Sequence, residues 1–196
     1  MSDQLRSPRT PPHDRAIGIE VECILSNTLY RETKTFEGFF LTAHDYSIDP
    51  SFGYTGIEFV SQPLTEQWLK RELYKLYSKF PWTYNDSCGI HVHVSRKWCG
   101  EKRGRAIAKF LTSLSNLDME VLFGRQPNRY CRNINGNDKF QSVNFNKHST
   151  IEFRMFSSGD AKWAAYCVAM AAYLVKNAHH LNYDAMVAFR DLYFKG

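Results

Sequence analysis

Three short apolar runs in this chain each carry two polar side chains spaced two residues apart: Glu20 with Glu22, His91 with His93, and Glu152 with Arg154. A fourth run carries Glu58. The runs at 16–25 (AIGIEVECIL), 55–62 (TGIEFVSQ), 88–95 (CGIHVHVS) and 150–157 (TIEFRMFS) alternate with the period of a β-strand, where residues i and i+2 leave on one face. Val21, Val92 and Phe153, with their neighbours Ile19, Ile90 and Ile151, leave on the other. A sheet built from such strands has to cover one face with apolar packing while its other face gathers glutamates, histidines and an arginine. Few folds satisfy both demands.

The remaining periodicity supplies the cover. Trp68, Leu69, Leu73, Leu76 and Phe80 recur at helical spacing over 64–80, and Pro81 ends that helix. A second helix is predicted over 102–123, with Ile107, Phe110, Leu111, Leu114 and Leu117 on one face. Two more are predicted at 160–177 and 184–193. Further strands are expected at 38–43, before a turn-rich 45–53, and at 139–146. The stretch 124–137 reads as a loop holding Arg125, Arg129, Arg132 and Asn133. Strands outnumber any regular β-α alternation, so the expected class is α+β, a mainly antiparallel sheet backed by helices. Residues 1–14 read as a flexible leader and 15–196 as a single domain. A chain of 196 residues, 43% of them hydrophobic, can bury one good core but is short for two.

Composition narrows the function classes. The net charge of +5 is scattered, which suits an anionic partner such as a nucleotide and gives no polybasic groove for nucleic acid. Cys23, Cys88, Cys99, Cys131 and Cys167 form no CxxC pair and read as reduced thiols of a cytoplasmic protein. The most apolar stretch, 164–175, falls short of the roughly 20 residues a membrane span needs, and the polar, proline-containing start is no signal peptide.

Alone, each polar pair reads most simply as a solvated strand face or a cross-strand ion pair. Together, in four strongly apolar strands, they point to a site. Burying such groups costs several kcal/mol each unless they are paired or bind a cation. Carboxylates with imidazoles suit a divalent ion, and an oxygen-rich set favours magnesium or manganese. Arg154 is unable to ligate a cation but can hold a phosphate or offset negative charge that builds up in phosphoryl transfer. Asn144 could line the site from a neighbouring strand or close a turn. Asp49 and Ser51 could reach it, although a turn explains them equally well. His13, His44, His148, His179 and His180 have no ligand spacing, and Cys131 has no histidine partner that would make it a nucleophile.

In order and spacing, GIEVE at 18–22, DPS at 49–51 with GIEFVSQPL to Leu64, CGIHVHV at 88–94 and TIEFR at 150–154 resemble the amidoligase family. That family belongs to the carboxylate-amine ligase superfamily of glutamine synthetase and glutamate-cysteine ligase. The resemblance spans about 18–158. It implies a curved antiparallel sheet, a glutamine-synthetase-like half-barrel, over ATP and magnesium or manganese. It implies Glu20, Glu22, Glu58, His91 and Glu152 as metal ligands. It further implies Arg154, Glu58 and His93 as catalytic groups, and Arg132 and Asn144 with Arg154 on the nucleotide. The implied chemistry phosphorylates a carboxylate with ATP and lets an amine displace the phosphate, forming an amide or isopeptide bond. No protein nucleophile is needed. The chain is compact for the family and has no separate substrate-recognition segment, so the acid and amine are expected on a peptide or other macromolecule as readily as free. Two alternatives stand beside this one: a metal-dependent hydrolase using HVH and the carboxylates around zinc or manganese, and a non-catalytic binding protein that reuses the fold.

Overall fold

The four alternating runs become strands β1 (Ile17–Ser26), β3 (Tyr54–Ser61), β4 (Gly89–Ser95) and β6 (Thr150–Ser157), with the shorter β2 (Phe40–His44) and β5 (Val143–Asn144) at the edges. In this computed structural model residues 15–33, 39–133 and 140–196 are described. The expected leader at 1–14 lies outside them, as do residue 38 of one expected strand and 134–139 of the loop and strand that follow. The strands form one six-stranded sheet in the order β2-β3-β1-β4-β6-β5, antiparallel at every pairing. The four strands that carry the polar residues are thus consecutive in space. The α+β class with a helix-backed antiparallel sheet is the architecture the chain adopts.

Helices α1 (Asn27–Thr33), α2 (Glu66–Lys79), α3 (Arg96–Thr112), α4 (Asn116–Phe123), α5 (Ala161–Lys176) and α6 (Tyr183–Lys195) complete the described fold. The core joins Ile19 and Val21 of β1, Ile90 and Val92 of β4 and Phe153 of β6 to Leu69, Leu73 and Leu76 of α2, Ile107 and Leu111 of α3, and much of α5. Burying each of these large aliphatic or aromatic side chains contributes about 1.5–3 kcal/mol. Helix α5 touches β1 and β4 on one side and α2, α3 and α6 on others, which is why 164–175 is apolar all round. Its first turn is capped by Asp160, whose carboxylate accepts the Trp163 N–H at 2.7 Å. No helix among the described residues is long and apolar enough to cross a membrane.

Three elements differ from expectation. The helix predicted over 102–123 is two, because Ser115 and Asp118 form a reciprocal capping box that starts α4 afresh. The expected strand at 139–146 narrows to the two residues of β5, and α1 was not expected at all. The third concerns β6. Val92 pairs with Phe153 and Ile90 with Phe156, so the single residue His91 faces the two residues Arg154 and Met155. This is a β-bulge. It shifts the phase of β6, so that Phe153 and Phe156, three apart, both reach the core; Phe156 meets Phe123 edge-on with ring centroids 5.5 Å apart.

Candidate metal centre

Register decides which polar residues meet. Glu20 stands directly opposite His91, Glu22 opposite Glu58, and His93 opposite Glu152, with Asn144 opposite Glu152 on its other side. Opposed residues project to the same face, so five strands supply one cluster. His91, almost wholly buried, is its hub: Nδ1 lies 3.1 Å from Glu20 Oε2 and 3.6 Å from Glu152 Oε1, and Nε2 lies 3.4 Å from Glu22 Oε1. His93 Nε2 lies 3.0 Å from Glu20 Oε1 and 3.9 Å from Glu152 Oε1. Arg154 Nη1 donates to Glu152 Oε1 at 2.7 Å, and Asn144 Nδ2 donates to Glu152 Oε2 at 2.6 Å. The bulge places Arg154 where it can reach this carboxylate and His91 together.

The carboxylates are not equivalent. Burial works against ionising Glu20, yet its hydrogen bonds and charge attraction to His91 and His93 prevail and hold it well below the usual range. Burial likewise opposes Glu152, and His91, Arg154 and His93 outweigh it, so its carboxyl is also lowered. For Glu22, burial wins over the attraction of His91 and raises the carboxyl, although its Oε2 accepts the Gly89 N–H at 2.6 Å. Glu58 is pushed up to about 7, first by burial and then by the negative charges of Glu20, Asp45 and Glu22. The face therefore holds two firmly ionised carboxylates and one poised to exchange a proton near neutrality.

Among the described residues, one ligand atom each from Glu20, His93 and Glu152 lies within 4.8 Å of the others, the spacing of groups that can share a metal ion. Compared with the ligand set expected from the resemblance, this trio includes His93, while His91 sits among the carboxylates as their counter-charge. The donor set fits a divalent cation. His93 Nε2 is buried and lacks a hydrogen bond of acceptable geometry despite its nearness to two carboxylates. With its proton on Nδ1, 3.4 Å from Thr150 Oγ1, the Nε2 lone pair faces those oxygens, an arrangement a bound cation relieves.

Other expected residues lie apart from this trio. Asn144 uses its amide to orient Glu152 and to accept the Asn146 N–H at 2.9 Å. The Arg132 guanidinium sits over the Phe140 ring, and its backbone pairs with Phe140 and Ser142. Arg125, which composition alone assigns to the solvated surface, is instead drawn onto the polar sheet face. It donates to the carbonyls of Cys88 at 3.2 Å and Arg154 at 3.0 Å. Gly89 makes this possible: an added Cβ would stand 3.0 Å and 3.3 Å from the two Nη atoms. A glycine in phase with His91 and His93 was the available sequence signal.

Two clefts flank the cluster. One of about 880 Å³ at the Gly89 end is lined by Arg125, Asn85, Asp49, Asp86, Asn128 and Ser158 among others. The other, about 380 Å³, is lined by Gly18, Glu20, Ser61, His93, Lys147 and Thr150 among others. No model of a known protein family matches the chain, and a search of curated proteins finds no match.

Proposed function

We propose that this chain is an ATP-dependent carboxylate-amine ligase of the amidoligase type, using magnesium or manganese and acting in the cytoplasm. The observation that carries the reading is the convergence of Glu20, His93 and Glu152 with Arg154 on one sheet face, between two clefts. In this reading the trio holds a divalent ion, which when bound neutralises charge on the nucleotide phosphates. Asn144 and the Arg154 guanidinium fix the Glu152 carboxylate from both sides, so that this ligand pays little ordering cost on binding. Arg154 has a buried Nε without a partner and offsets charge that develops on the transferred phosphoryl group.

Glu58 is suited to accept a proton from the attacking amine, because its carboxyl titrates near neutrality. The substrate carboxylate takes the γ-phosphoryl group from ATP and releases ADP. The amine then forms the C–N bond as phosphate departs. Two clefts accommodate two substrates on either side of the charge-bearing face.

The test is ADP release that needs a carboxylate and an amine together, measured with magnesium or manganese over a panel of both. Arg154→Ala and Glu20→Ala are expected to remove it. Purified protein that carries stoichiometric zinc and hydrolyses substrates without nucleotide would overturn the reading in favour of a hydrolase. ATP turnover untouched by both substitutions would remove the site assignment.

A further inference from the structure

The guanidinium of Arg125 is a positive charge without an anion. Among the described residues it forms no ion pair; its two anchors are the carbonyls of Cys88 and Arg154, and its buried Nε has no partner. Two neutral acceptors leave three of its five N–H groups unused. It is nevertheless held firmly, because Gly89 leaves it a seat on the sheet and Gly124 just before it adopts a left-handed backbone (φ 78°). A guanidinium held in this way at the floor of a cleft of about 880 Å³ is preorganised for an oxyanion.

The rest of the cleft indicates which oxyanion. Asp49 and Asp86 line the same walls, with the neutral polar Asn85, Asn128 and Ser158 between. Two carboxylates repel a polyphosphate, whereas they complement a ligand that carries an ammonium beside its own carboxylate. We infer that this cleft binds an amino-acid-type zwitterion, its carboxylate on Arg125 and its ammonium toward Asp49 and Asp86. The binding claim stands on these side chains alone. It rests on the ligase reading only for what then happens to the bound acid.

The experiment is calorimetric titration of the full chain without nucleotide or metal, using L-amino acids, propionate, methylamine and inorganic phosphate as separate probes. At least one amino acid should bind more tightly than propionate and methylamine. Arg125→Gln should weaken that binding by roughly ten- to a hundredfold, the loss of one charge-assisted pair. Gly89→Ala is a second variant, because it keeps every charge and only displaces the guanidinium; it should weaken the same binding. Amino-acid binding with these dependences, found in a protein that shows no ATP turnover, would sustain the inference while the ligase reading fell. Inorganic phosphate binding that needs Arg125, with no amino acid bound, would overturn it. So would amino-acid binding indifferent to both variants.

Discussion

Glu152 concentrates the demands of the site on one side chain. It is fully buried, holds Arg154 and Asn144 by hydrogen bonds, and offers an oxygen to the candidate cation. Glu152→Gln keeps the shape but aims an amide donor at one of two donors, leaving a buried group unsatisfied. A loss of about 1–3 kcal/mol in denaturant melts is expected, together with at least tenfold weaker manganese binding. Glu58 makes a different prediction. Its carboxyl, raised from 4.5 to about 7, keeps in the folded chain a proton that the unfolded chain has released. The stability it contributes is therefore fully present below pH 4.5 and is lost as the pH rises through about 7. Glu20 and Glu152 have the opposite sign, since their lowered values give stability above 4.5 that is lost in acid. Melts of cation-free protein should show a decline between 4.5 and 7 that Glu58→Gln abolishes, and an acid-side loss that it leaves in place.

At the scale of elements, the turn between α4 and Arg125 is the sensitive joint. Gly124 ends α4 with φ at 78°, and an added Cβ would collide with the Ser157 side chain and stand 2.7 Å from Trp163. Gly124→Ala should cost about 1–2 kcal/mol from the left-handed backbone alone, with the overlap adding to it. Equilibrium unfolding measures the total. The bulge of β6 matters in the same way, because it lets one strand place Glu152 and Arg154 on the polar face and still bury both Phe153 and Phe156. Neither feature follows from alternation. Read as a regular strand, 150–157 would put Phe156 on the polar side.

For the whole molecule, the division between a helix-covered face and a charged face couples folding to ligand. A cation that binds only the folded sheet stabilises it by about 2.7 kcal/mol at a hundred times its Kd, which for a domain this size raises Tm by roughly 5–10 °C. Manganese or magnesium should produce that shift, a chelator should reverse it, and Glu20→Ala should abolish it. A protein whose Tm ignores both ions would have its polar face stabilised by its own ion pairs alone.

Membership of the polar face was legible in the chain itself, since a period of two is local geometry and Glu20, Glu22, His91, His93 and Glu152 needed nothing further to be placed on it. The helix faces and the apolar α5 were legible for the same reason. Tertiary structure decided the rest: the neighbour order of the strands, the register that sets His93 against Glu152, and the bulge under Arg154. It also decided the seat of Arg125, whose anchoring carbonyl at Cys88 is 37 residues away. Those features depend on contacts between segments that are distant in sequence, and no short-range periodicity encodes where such segments meet.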